Sequence, residues 1–146
     1  MPVVKEGWAL IKVSHAGICG SDLTIYSGYH PRAKAPLVLG HEICGWLVED
    51  QPGMPAGTFV TVNLLLSCGH CDPCLSGNEH VCKTLKLVGI DCDGGMAEYV
   101  TAPVYHILSV PDGVSPVSYT HLRSHETVLD IACRLLLEKH NKTHNY

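Results

Sequence analysis

From Val117 to the C-terminal Tyr146 there is no glycine and no proline, although the 146 residues hold 14 glycines and nine prolines in all. A segment without those two residues lacks the usual turn formers and breakers. No G-x-G-x-x-G follows a strand-like run anywhere, and no βαβ stretch is present to carry one. A dinucleotide-binding domain is therefore not expected within this chain. No stretch approaches the roughly 18 apolar residues needed to span a bilayer. The N-terminal MPVVKEGWALIKV alternates apolar with polar residues and lacks the three regions of a signal peptide. Without an export signal the expected compartment is a reducing cytoplasm, where clustered cysteines bind metal more often than they form disulfides. The formal net charge is only -4, so neither nucleic acid nor a membrane surface is an expected partner.

What is present divides at the same place. Apolar residues make up 46% of the chain, enough for the core of about one domain. Up to residue 115 the pattern is short β-like runs between turn residues: ALIKVSHAG, HEICGWLVED, GTFVTVNLLL and MAEYVTAPVYHILSVPDG. After it, ETVLDIACRLLLEK carries Val128, Leu129, Ile131, Ala132, Leu135 and Leu136 at helical spacing, predicting a helix over 126–139. The expected organisation is a mostly β unit over 1–115 and a separate tail over 116–146.

Four of the eight cysteines fall in CGHCDPCLSGNEHVC, at Cys68, Cys71, Cys74 and Cys82. Zinc takes four ligands tetrahedrally and binds thiolates without redox chemistry. Two-residue gaps let successive sulfurs curl round one ion, and a longer gap brings a loop back with the fourth. Gly69, Pro73 and Gly77 supply the turns. Disulfides are the competing reading, disfavoured by the compartment. A site closed by four thiolates has no open position, so its zinc is structural. His70 and His80 are then surplus surface residues.

A second constellation is less clear from spacing. Cys19, Ser21 and Asp22 precede the pair His41–Glu42 by about twenty residues. Cysteine, histidine and carboxylate from separate loops would suit a metal with an open position for substrate. Taken singly, Cys19 also reads as a small core residue and His41–Glu42 as an exposed turn.

Four stretches together decide the matter: GICGSD at 17–22, GHEICG at 40–45, the four-cysteine loop at 68–82 and DGGMAEYV at 93–100. In that order they resemble the N-terminal catalytic domain of the zinc-dependent medium-chain alcohol dehydrogenases, nearest the polyol (sorbitol-like) and threonine dehydrogenase branches. The resemblance covers about residues 3 to 115. It implies a mainly β fold, a GroES-like β-barrel with a four-cysteine zinc loop. It implies that Cys19 and His41 bind a catalytic zinc, with Glu42 as a ligand or one that exchanges with water. Ser21 would hydrogen-bond the substrate hydroxyl and pass its proton outward, and Asp22 would orient the His41 ring. Cys68, Cys71, Cys74 and Cys82 match the structural zinc lobe. The implied reaction is oxidation of an alcohol, polyol or amino alcohol by hydride transfer to NAD or NADP, in an enzyme that is commonly a homo-oligomer.

Departures from the family pattern shape the expectation. The cofactor domain is missing, and the pattern ends at Ser115, before a further zinc-site carboxylate; Glu126 lies in the unrelated tail. Gly57-Thr58-Phe59-Val60 stands where a Gly-Asp-Arg-Val turn is usual, and Thr24 where many relatives place a relay histidine. The tail PVSYTHLRSHETVLDIACRLLLEK resembles the translated read-through of a sequencing adaptor; its alternative is a real terminal helix packing Leu135 and Leu136 on the barrel. On the first view the chain is an inactive fragment of a dehydrogenase. The alternative is a zinc-binding β-barrel module without catalysis. Cys44 reads as a buried small residue, Cys92 as a free thiol in a turn, and Trp8 and Trp46 as packing residues. Tyr26, Tyr29 and His30 are candidates for lining a substrate cleft. Arg32 and Lys34 would meet an anionic substrate or sit in a solvated loop.

Overall fold

Apolar alternation sets the first strand and, through it, the position of everything else. In the computed structural model, which describes residues 1–111 and 113–115, β1 runs Trp8–Gly17. Ala9 and Ile11 point into the core cluster, and the intervening Leu10 is also covered. The helix expected over 126–139, and the tail as a whole, lie outside the described residues.

The remaining elements are α1 (Gly20–Tyr26), β2 (Glu42–Leu47), β3 (Phe59–Val62), β4 (Leu65–Leu66), α2 (Asp72–Leu75), β5 (Lys86–Leu87), β6 (Tyr99–Pro103) and β7 (Ile107–Ser109). Five strands form one antiparallel sheet in the order β6-β1-β2-β3-β7, and β4 and β5 form a separate two-stranded ribbon. The fold is mainly β, as expected. The core is Ile11, Ile43, Leu47, Val60, Val62, Leu66, Val88, Val100 and Ile107 with their neighbours. These come from every strand of the large sheet and from the stem of the ribbon.

Connectivity shows that the sheet is curled. β6 and β7 are its two edges, yet only the single 3-10 turn Val104–His106 joins them. Four residue steps reach at most about 14 Å. Four inter-strand gaps in a flat sheet would need about 19 Å. The edges must bend toward each other, which makes a barrel-like wall. The turn is anchored on both sides: Val104 N–H donates to Gly7 O at 3.0 Å, and Asn63 N–H to His106 O at 2.8 Å.

Register delivers the site. β1 pairs with β2 from Ile11↔Leu47 to Gly17↔Glu42, with a one-residue shift between Val13 and His15. That β-bulge at Ser14 changes which face the last residues of β1 present. Beyond it, Gly17 lies opposite Glu42, where a Cβ would come within 2.1 Å of the Glu42 carboxylate. Glycine leaves that space to the acid. The short α1 was not anticipated, because seven residues are too few to show a helical period.

Candidate metal centres

The four-cysteine lobe is a hairpin whose ends are held together. Leu65 pairs with Leu87 and Leu66 with Lys86, and residues 67–85 form the excursion between them. Within it, Pro73 opens α2 in the position where its missing N–H costs nothing. The Sγ atoms of Cys71 and Cys74 are 3.4 Å apart, those of Cys71 and Cys82 3.9 Å, and those of Cys68 and Cys74 4.0 Å. All four sulfurs lie within 4.8 Å of one another. Sulfurs at about 2.3 Å from a tetrahedral zinc are about 3.8 Å apart, whereas a disulfide needs about 2.05 Å. The spacing fits zinc and excludes disulfides among Cys68, Cys71, Cys74 and Cys82.

Local hydrogen bonds favour charge on two of these sulfurs, and burial opposes it on a third. The backbone N–H of His70 brings the Cys68 thiol down to about 6. Cys68 N–H donates to Cys82 Sγ at 3.3 Å and lowers that thiol too. Burial pushes Cys74 up to about 12. A bound cation favours the thiolate form of each ligand. His70 and His80 are exposed, outside the sulfur cluster.

The second cluster forms where β1 ends and β2 begins. Cys19 is the residue before α1, His41 precedes β2, and Glu42 is the first residue of that strand. One ligand atom from each lies within 4.8 Å of the others. Cys19 and His41 are the last residues of separate loops, directly before α1 and β2, and Glu42 opens the strand. His41 and Glu42 are buried, at 7% and 1% exposure, while Cys19 remains partly accessible. The reading of His41–Glu42 as an exposed turn is excluded. Burial of a carboxylate is costly unless it is paired or bound to metal. The set of thiol, imidazole and carboxylate is the mixture zinc accepts.

Asp22 ties the two halves together. Its Oδ2 accepts from Cys19 N–H at 2.8 Å, the reach-back half of a capping box. Its Oδ1 accepts from Gly40 N–H at 3.1 Å and stands 3.7 Å from His41 Nδ1. That nitrogen is buried without a hydrogen-bond partner. A buried ring nitrogen facing a carboxylate is the arrangement seen behind metal-bound imidazoles. Ser21 lies on the same helical turn, half-buried, two residues from Cys19.

Other residues resolve in more ordinary ways. Arg32 is neither free for a substrate nor merely solvated: it pairs with Asp91 and donates to Leu85 O. Tyr26 and Tyr29 are 86% and 83% exposed beside α1, whereas Ile25, Tyr26, Lys34, Leu37 and Leu39 line a cavity of about 370 Å³. His30 Nδ1 accepts from Arg32 N–H and Ala33 N–H, so that face of the ring holds the loop. Cys44 is fully buried and Cys92 sits partly buried in its turn. Trp46 packs on Phe59 with ring centroids 5.4 Å apart, and Trp8 packs against the core.

A curled antiparallel sheet carrying one all-cysteine cluster and one mixed cluster defines a class of zinc-binding barrel domain. Residues 5–112 match the family described as the alcohol dehydrogenase GroES-like domain, and the chain belongs to that family. It is 41% identical over 118 residues to the starvation-sensing protein RspB of Escherichia coli strain K12, covering 79% of this chain and 35% of that protein. It is 40% identical over 120 residues to an L-threonine 3-dehydrogenase of Bacillus licheniformis, covering 78% and 35%. The solved structure of an alcohol dehydrogenase, rspB of E. coli CFT073, in complex with NADH superposes with a TM-score of 0.76 at 37% identity. That superposition covers 84% of this chain and 36% of the other. The chain thus spans about a third of the length of these relatives.

Proposed function

We propose that residues 1–115 form the catalytic domain of a zinc-dependent dehydrogenase that oxidises a primary or secondary alcohol, polyol or amino alcohol. The hydride acceptor would be NAD or NADP, bound by a domain that residues 1–115 do not include, and residues 116–146 would take no part. The observation that carries this reading is the convergence of Cys19, His41 and Glu42 within 4.8 Å. A purely structural barrel, already clipped by four cysteines, has no use for a second donor set with a partly accessible thiol.

In the complete enzyme each group has a task. Cys19, His41 and Glu42 would hold the second zinc, which as a Lewis acid makes a bound alcohol easier to ionise. Ser21, the second residue of α1, would accept the substrate hydroxyl proton and pass it toward solvent. Asp22 would keep the His41 ring oriented and hold the Cys19 backbone in place. A nicotinamide cofactor held by the other domain would supply the hydride acceptor for the alcohol carbon, while the hydroxyl proton would leave by way of Ser21. The barrel wall keeps His41 and Glu42 out of bulk water, so the ligands need little reorganisation.

Metal analysis tests the reading. The chain is expected to hold two zinc ions, and Cys19→Ser to hold one while keeping its fold by circular dichroism. A variant that retained both ions would remove Cys19 from the site. A wild-type chain with a single ion, held by the four-cysteine lobe, would favour the non-catalytic zinc-binding module instead.

A further inference from the structure

Two glycines from about fifty residues further along the chain close on the residue before His41. Gly40, at φ +91°, lies against both Gly89 and Gly94. A Cβ on Gly89 would stand 2.9 Å from Gly40 O and 3.1 Å from Gly40 N. One on Gly94 would stand 2.0 Å from Gly40 O and 2.7 Å from Leu39 O. These are backbone atoms, which cannot swing aside as a flexible side chain can.

The turn that contains Gly94 also grips the same strand entry by hydrogen bonds. Gly94 N–H donates to Val38 O at 2.8 Å, Met96 N–H to Leu39 O at 2.9 Å and Gly95 N–H to Gly40 O at 2.9 Å. In return the Asp93 carboxylate accepts from Val38 N–H at 2.9 Å. Gly40 N–H, as already described, is held by Asp22. The residue immediately before His41 thus has both its carbonyl and its amide engaged.

We infer that the turn Asp93–Met96 is a positioning clamp for the second metal cluster, and that Gly94 is a positioning residue that sets where His41 presents its ring. The inference rests on the reading of Cys19, His41 and Glu42 as metal ligands. It adds a residue that touches neither metal nor substrate, about fifty positions further along the chain. Gly94 is suited to the role by size alone: it needs no left-handed backbone, since its φ lies outside the positive region that Gly40 and Gly89 occupy. Adding a methyl group there displaces the Gly40 carbonyl, and the following residue is a ligand. Ile107 supplies a contrast: it is buried in the core from β7 and belongs to neither the clamp nor the ligand segment.

Cobalt titration of the full chain separates the possibilities, because thiolate-bound Co(II) absorbs differently at the four-sulfur and mixed sites. Gly94→Ala is expected to weaken the second cobalt by about tenfold to a hundredfold, the range typical for groups that orient metal ligands, and to leave the four-cysteine site unchanged. Ile107→Ala, a core truncation outside the clamp, is expected to lower the melting temperature while keeping the second cobalt affinity and its spectrum. If both variants lose stability and neither loses affinity, the turn is packing only and the inference fails. Should Gly94→Ala not fold, Asp93→Ala removes one strand of the clamp without a clash. It is then expected to weaken the second cobalt measurably, and unchanged affinity would overturn the inference. A wild-type chain that takes up only one cobalt overturns the reading of the cluster itself, and the inference with it.

Discussion

Asp22 shows how much a single carboxylate organises here. It accepts from Cys19 N–H and Gly40 N–H and faces His41, so three parts of the cluster depend on one side chain that is 2% exposed. Asp22→Asn keeps the shape but removes the charge and one acceptor. We expect it to weaken the second metal by about tenfold or more while sparing the four-cysteine site, as competition with a chromophoric chelator would read. Retained affinity would assign Asp22 to helix capping alone. Cys92 makes a different prediction. Burial, then the neighbouring Asp91, raises its thiol above the ordinary range, and its Sγ donates to Leu87 O. Raising a thiol's pKa leaves less thiolate at neutral pH. Iodoacetamide at pH 7 should therefore label Cys92 slowly, with the rate climbing only at distinctly alkaline pH, as peptide mass mapping would show. The ligand types were legible from residue patterns. Asp22's hold on Gly40 was not, because an 18-residue separation says nothing about which backbone amide a carboxylate will meet.

Among the elements, the ribbon of β4 and β5 with its lobe is the part most nearly self-contained. Its ligands are close in sequence, so their geometry follows from short turns, which is why cysteine spacing alone exposed it. Closing such a loop with a metal removes disorder from the alternatives to the folded lobe. The double substitution Cys71→Ser/Cys74→Ser should abolish its metal and make residues 67–85 the first site of proteolysis. Backbone amides of β1 and β2 should stay protected from hydrogen exchange. Cleavage first within β1 or β2 would mean that the lobe's metal supports the whole barrel. By contrast, α1 escaped sequence reading. Its seven residues bury Asp22 and leave Leu23 and Tyr26 outside, so apolar periodicity never marks it.

At the scale of the molecule, the family match ends at residue 112, a few positions before the stretch without glycine or proline begins at Val117. A chain ending at Ser115 is expected to bind both metals and unfold with the same midpoint as the 146-residue chain. A clear loss of either would give the tail a structural role. The strand runs, the two clusters and the mainly β class could be read along the sequence. The strand order and the meeting of Gly40, Gly89 and Gly94 could not, since both depend on how separate turns are stacked in space. Among the described residues no helix is long and apolar enough to cross a membrane. The short Val104–His106 turn between the two sheet edges also makes cuts in the chain unequal. A circular permutant opened inside the lobe keeps the ring of strands covalently intact. One opened between Pro103 and Ile107 leaves β6 and β7 as free ends, each held by one neighbouring strand and by the packing of Val100, Ala102 and Ile107 in the core.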